Sequence, residues 1–222
     1  MKILLVGTGG YASTYVEYLL NQASVVWEGI VDPFFANCKQ KDEIIKKNIP
    51  VYDTMEEFYS KHTADLAIIC TPTFLHREQS IFAVSHGSDV LCEKPAAPTV
   101  ADTEKMLEAE RKYCHYIAIG YQWSYTKEIQ DLKADILNGV LGKAISFKTI
   151  VSWPRNKDYY NRGGGWGGCI KRNGNLVLDS IASNACAHYL HNMLFVSGDT
   201  MDTSAAINEL TAECYRANNI EN

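Results

Sequence analysis

Lys2-Ile3-Leu4-Leu5-Val6-Gly7-Thr8-Gly9-Gly10-Tyr11-Ala12 is the stretch that decides how the rest of the chain is read. A short apolar run enters a glycine turn, and the turn opens a segment whose Tyr15, Val16, Leu19 and Leu20 recur at helical spacing. The turn has the pattern Gly-x-Gly-x-x-Ala. In a strand-turn-helix unit the first glycine makes the tight turn and the second lets the backbone approach a pyrophosphate. Ala12 permits close helix packing, and the helix N-terminus adds positive dipole. Asp32 ends the next strand about 20 residues on, where a carboxylate accepts from a ribose 2′-hydroxyl and repels a 2′-phosphate. Gly7, Gly9, Gly10, Tyr11, Ala12 and Asp32 are therefore candidate cofactor contacts. NAD is the expected cofactor, with NADP left open, and the alternative reading of Asp32 is a helix cap or turn aspartate before Pro33.

Outward from this unit, the two periods alternate. Strands are expected at 2–6, 25–31, 51–52, 65–70, 89–92 and 116–120, and helices at 11–20, 54–60, 74–85 and 99–112. Thr99, with Asp102 three residues on, opens the last of these helices. This order predicts an α/β fold, a doubly wound parallel sheet of Rossmann type. The pattern changes after Gly120. A helix is expected at 128–137, ended by Asn138-Gly139. Residues 144–151 then alternate like an antiparallel strand with one exposed face. A flexible glycine run at 162–168 and an apolar helix at 183–196 follow. The boundary falls at Tyr121, giving a dinucleotide-binding domain at 1–121 and an α+β domain with an open, mainly antiparallel sheet at 122–222.

The 222 residues are 46% hydrophobic, 21% charged and 11% aromatic with net charge -5, which excludes disordered, collagen-like and disulfide-scaffold classes. A mildly acidic chain without a Lys/Arg run argues against nucleic acid or anionic membrane as the partner. No stretch is long and apolar enough to span a bilayer, and the start does not read as a signal peptide. Seven scattered cysteines without a CxxC pair suit a reducing cytoplasm and argue against a zinc ribbon. A cytoplasmic protein acting on a small molecule is expected.

Glu93-Lys94-Pro95 follows strand 89–92, so Lys94 stands at a carboxyl end, the edge where open α/β sheets bind ligands. Most lysines in such places are only solvated charges. Here the glycine turn, Thr71-Pro72 followed by His76, Glu93-Lys94-Pro95 and Gly120-Tyr121 together resemble the glucose-fructose oxidoreductase/inositol dehydrogenase (Gfo/Idh/MocA) family. Leu137-Asn138-Gly139-Val140-Leu141-Gly142 also resembles that family's helix-to-strand turn. The resemblance implies an NAD(P)-dependent oxidoreductase that moves a hydride between nicotinamide and a hydroxyl of a sugar, cyclitol or sugar derivative. It implies that Lys94 is the acid/base residue, that Lys94–Pro95 is cis, and that Thr71, Pro72, His76, Glu93 and Gln122 border the cofactor. It implies a homo-oligomer for the full-length form. Family members continue beyond the point where this chain stops in mid-pattern, so the second domain is expected to be incomplete. The chemistry is consistent: a lysine beside oxidised nicotinamide feels like charge and desolvation, which lower its pKa toward that of a useful base.

Members of the family usually carry an aspartate followed four positions later by a histidine at a helix start. Here Ser183 stands four after Asp179. Counted back from Gly198, His188 takes the histidine's place and Asn184 the aspartate's. Lys94, His188 and Asp179 are thus the catalytic candidates, with Asn184 as a substitute substrate contact. Helical spacing sets Asn184, His188 and His191 one turn apart on an apolar helix. Hydrogen-bonded core histidines compete with this reading, as does a metal site with Asp179; no metal is expected. Trp153 and Arg155, ahead of the glycine run, offer an aromatic face and a cation to a sugar or its acidic group, and a surface loop with an aromatic anchor explains them equally. Two functional alternatives remain, a cofactor-binding regulator without turnover and a redox-neutral glycosidase using NAD transiently. Lys94 favours an enzyme.

Overall fold

The structure is a computed structural model and describes residues 1–184, 186–213 and 215, without the side chains of 162–164. The cysteine at 214 and the chain end from 216 lie outside these residues.

The strand β1 (Lys2–Val6) shows how the apolar runs build the sheet. Its alternate residues serve two cores, Ile3 and Leu5 facing one layer and Leu4 and Val6 the other, and all four are at most 3% exposed. The strands β2 (Val26–Val31), β3 (Val51–Tyr52), β4 (Leu66–Ile69), β5 (Asp89–Cys92) and β6 (Ile117–Ile119) join it in the parallel order β3-β2-β1-β4-β5-β6. Helix α1 (Ala12–Asn21) covers one face with Val16 and Leu19, beside α2 (Lys41–Lys46), which adds Ile44. Helices α3 (Met55–Tyr59), α4 (Thr73–Ser85) and α5 (Val100–Tyr113) cover the other through Phe58, Ala83, Val84 and Met106. Thr99 caps α5 by accepting from the Asp102 N–H at 3.1 Å, and Thr54 caps α3 from Glu57 at 3.2 Å. The sheet winds one way from β1 to β2 and the other way to β4. The crevice at this reversal lies between Gly7 and the end of β4.

Beyond β6 the chain forms a 3₁₀ turn (Gln122–Tyr125), α6 (Lys127–Leu137), α7 (Lys157–Gly165), a two-residue antiparallel ribbon of β7 (Lys171–Arg172) and β8 (Asn175–Leu176), and α8 (Ala187–Val196). Three expectations are corrected here. Residues 144–151 form no strand: Ile145 and Ile150 are each 96% exposed, because alternation alone supplies no ladder partner. The glycine run is not a loop up to Gly165 but the end of α7, which Asn156 opens by accepting from the Tyr159 N–H at 2.9 Å. Helix α8 begins at Ala187 rather than 183: Ser180 and Ser183 exchange side-chain-to-backbone hydrogen bonds at 3.0 Å and open a single turn in which the Asn184 N–H donates to the Ser180 carbonyl at 3.0 Å, but the Cys186 N–H then reaches five residues back to Ile181 at 2.8 Å, which breaks the helical register ahead of Ala187. Among the described residues no helix is long and apolar enough to cross a membrane.

One buried charge joins the second half together. Lys133 of α6 is fully buried, donates to the carbonyls of Met201 at 3.0 Å and Thr203 at 2.5 Å, and lies 3.7 Å over the Phe195 ring.

Candidate functional site

The glycine turn lies at the crevice. Gly7 has φ +88°, and a Cβ there would stand 3.0 Å from the Cys70 carbonyl oxygen, so only glycine lets the turn pass that close to β4. Its N–H donates to Val31 at 2.8 Å, fixing the turn between β2 and β4. Above it the space is open. A Cβ on Gly9 or Gly10 would meet nothing within 4 Å, which leaves room for a phosphate group over the start of α1. Tyr11 and Ala12 complete the turn, with Ala12 fully buried against the sheet.

Asp32 is 9% exposed and closes over the same turn. Its Oδ2 accepts from the Thr8 N–H at 2.8 Å and from the Thr8 hydroxyl, and its Oδ1 from the Phe34 N–H at 2.8 Å. Three donors orient the carboxylate. Oδ1 keeps acceptor capacity for a hydroxyl.

Glu93 stands at the end of β5, 9% exposed, and accepts from the Tyr15 hydroxyl at 2.8 Å. Burial raises its carboxyl above the usual range while the Tyr15 bond opposes that, and burial with the Glu93 charge pushes the Tyr15 phenol up. Tyr11 meets Tyr15 edge-on at 6.0 Å, and its hydroxyl accepts from Gln122 Nε2 at 3.5 Å. The Gln122 Oε1 is buried with no partner among the described residues. An orphaned acceptor next to an open glycine turn fits a dinucleotide better than an unliganded crevice.

His76, expected at the cofactor, is a buried ring. It is 1% exposed, with Nδ1 2.9 Å from the Pro95 carbonyl and Nε2 2.8 Å from that of Thr71, so both ring nitrogens face backbone. Burial lowers its pKa, against the pull of those carbonyls. Its ring ties the Thr71-Pro72 loop to the loop that carries Lys94, whose bond to Pro95 is cis.

Lys94 reaches across to the second half of the chain. Its Nζ donates to the Asn184 backbone carbonyl at 3.1 Å and to Asn184 Oδ1 at 3.4 Å. Asn184 Nδ2 donates to Asp179 Oδ1 at 2.9 Å. Asn184 precedes α8, so the expected stripe of three polar residues on one helix reduces to His188 and His191. His188 is 6% exposed, stacked on Trp123 at 4.9 Å and edge-on to Tyr121 at 6.0 Å. Its pKa is pushed down to about 4, first by burial, then by the Lys94 charge and by His191. His191 stacks on Tyr121 at 4.2 Å and is lowered by burial and by Lys133.

Lys94, Asn184, Asp179 and His188 are thus brought together. Trp153 and Arg155 group with Tyr159, the guanidinium lying 4.4 Å over both rings. No cluster of three metal-ligating side chains occurs among the described residues. Tyr15 and Tyr121 were read from the sequence only as core and turn residues. Nothing local marks Tyr15 as the partner of a glutamate 78 residues away.

Residues 1–121 match the family described as "Oxidoreductase family, NAD-binding Rossmann fold" (Gfo/Idh/MocA). Among curated relatives, the rhizopine catabolism protein MocA of Rhizobium meliloti is 26% identical over 141 residues, covering 64% of this chain and 44% of its own length. The D-glucoside 3-dehydrogenase of Escherichia coli (strain K12) is 24% identical over 146 residues, covering 64% and 41% respectively. The chain spans less than half the length of these two relatives. Among solved structures, the WlbA dehydrogenase from Chromobacterium violaceum, in complex with NADH and UDP-GlcNAcA, aligns with TM-score 0.71 at 22% identity over 89% of this chain and 55% of that one. That likeness establishes the fold.

Proposed function

The chain belongs to the Gfo/Idh/MocA oxidoreductase family with its NAD-binding Rossmann fold, and from that premise we propose that it oxidises a hydroxyl of a sugar, cyclitol or sugar derivative, with Lys94 as the acid/base residue. The observation that carries this reading is the place of Lys94. It sits at the carboxyl end of β5, beside the dinucleotide crevice, with its Nζ turned to Asn184 and close enough to His188 to affect its charge. The names of the relatives, a glucoside dehydrogenase among them, support the substrate class.

The residues divide the work. The Gly7–Gly10 turn, Tyr11, Ala12 and the start of α1 hold the pyrophosphate, Asp32 accepts from the ribose, and Glu93 and Gln122 line the crevice beyond. Thr71 and Pro72 form the β4 side, which His76 fastens from beneath. When bound, NAD supplies the hydride acceptor. Neutral Lys94 takes the hydroxyl proton at Nζ as the substrate carbon is oxidised, and its protonated form returns it in the reverse direction. Asn184 and His188 form the substrate side of the pocket. His188, held neutral, can hydrogen-bond a hydroxyl without adding charge next to Lys94.

The test combines NAD calorimetry with an absorbance screen for NADH against polyols and glycosides. Lys94→Ala should lower turnover by about two to four orders of magnitude with NAD affinity largely kept. Near-normal turnover in that variant would remove Lys94 from the mechanism. NAD binding without NADH from any substrate would favour the regulator.

A further inference from the structure

Three residues stand in a line behind the lysine. Lys94 Nζ donates to Asn184 Oδ1 at 3.4 Å and to the Asn184 carbonyl at 3.1 Å, Asn184 Nδ2 donates to Asp179 Oδ1 at 2.9 Å, and Asp179 Oδ2 accepts from the Gly168 N–H at 2.6 Å. An amide side chain has one accepting and one donating end, and rotation by half a turn exchanges them. Were the Asn184 amide reversed, its NH₂ would face the lysine ammonium and its oxygen would face the Asp179 carboxylate. Both contacts would be repulsive. A carboxylate at 179 therefore decides which atom Lys94 meets.

We infer that Asp179 is a positioning residue for Lys94, acting through Asn184: it locks the amide so that an acceptor, backed by the Asn184 carbonyl, holds the lysine ammonium at the substrate side of the crevice. The inference rests on the proposed role of Lys94 and deepens it. Asp179 then need not touch substrate, and the relay explains two features left over from the sequence. The first is the substitution of asparagine where the family usually has aspartate. A carboxylate at 184 would hold the lysine as a permanent ion pair, whereas a neutral amide steadies the ammonium and still lets it give up its proton. The second is the end of the glycine run. Gly168 has φ +74°, with a Cβ placed 3.4 Å from the Tyr160 ring, and this turn aims its N–H at Asp179.

Among the described residues, the charged and titratable groups near Lys94 include Glu93 on its own loop, which accepts from the Lys94 N–H at 3.3 Å, His188 from α8, and Asp179 behind Asn184. Asp179 is linked to the ammonium through the Asn184 amide. The relay can be read without cofactor or turnover by competitive acetylation of the whole chain over a pH series, with Lys94 labelling followed by mass spectrometry. Asn184→Ala and Asp179→Ala should each move the Lys94 labelling midpoint down, by on the order of half to one pH unit, and the double variant should move it no further than Asn184→Ala alone. Asn184→Asp should move it up by about one unit, since an opposite charge then faces the ammonium. A wild-type midpoint in Asp179→Ala would overturn the inference. So would an Asp179→Ala shift of equal size in the Asn184→Ala background, which would make Asp179 a direct charge effect. Asp179 and Asn184 are both only partly buried, and circular dichroism checks that each variant folds. Turnover of Lys94→Ala is a separate measurement, so failure of the catalytic reading is distinguishable from failure of the relay.

Discussion

Acidification and the substitution His188→Phe probe the same buried ring from two sides. His188 has a folded-state pKa of about 4 against an ordinary value of 6.5, chiefly because it is buried between Trp123 and Tyr121, then because Lys94 and His191 oppose a second positive charge. The unfolded chain therefore binds the proton first. Stability associated with the neutral ring is fully present above pH 6.5 and is lost as the pH falls through about 4. At about 1.36 kcal/mol per unit, the difference sets a ceiling near 3 kcal/mol, and relaxation and water penetration around the charged ring bring the expected effect to about 1–2 kcal/mol. Phenylalanine keeps the stack on Trp123, removes a buried Nδ1 that has no partner among the described residues, and cannot titrate. Urea unfolding followed by circular dichroism, on both proteins between about pH 7 and pH 4, should show the wild type losing stability relative to His188→Phe by that amount. Parallel curves would refute the reasoning, because they would mean that the ring charges in place. His191→Phe serves as the neighbouring control and should flatten the acid limb further.

Asp32→Ala should weaken NAD binding about tenfold and narrow the preference for NAD over NADP, since it removes both a ribose acceptor and the anchor of the Thr8 N–H; competing titrations of the two cofactors check it. Gly7→Ala places a Cβ 3.0 Å from the Cys70 carbonyl at φ +88°. It should cost about 1–3 kcal/mol in urea unfolding and abolish NAD binding by displacing the turn.

The parallel sheet was legible because its causes are local. Apolar runs such as Ile3–Val6, ended by a glycine that alone tolerates φ +88°, state both the strand and its end. Caps are equally local, as Thr99 and Thr54 show. The second half was less legible because its deciding contacts are distant. Alternation at 144–151 is a condition for a strand but does not provide the neighbour to pair with, and the helix at Lys157–Gly165 forms in spite of its glycines. The buried ammonium of Lys133 likewise depends on carbonyls 68 and 70 residues away.

The site itself depends on one of these misread boundaries. Continued back to residue 183, helix α8 would have kept Asn184 in line with His188 and His191, as the spacing suggested. A carbonyl inside a helix is committed to the N–H four residues on. Asn184 would then have offered Lys94 at most a side chain. The turn opened at Ser180 does not run on into α8, because the Cys186 N–H bonds the Ile181 carbonyl five residues back, and Asn184, ahead of the helix, gives its carbonyl to Lys94 along with its Oδ1. The two serines are what a local reading could have weighed, since both favour turns and caps over helix interiors. The lysine 90 residues away, which makes that turn matter, could not be seen from there.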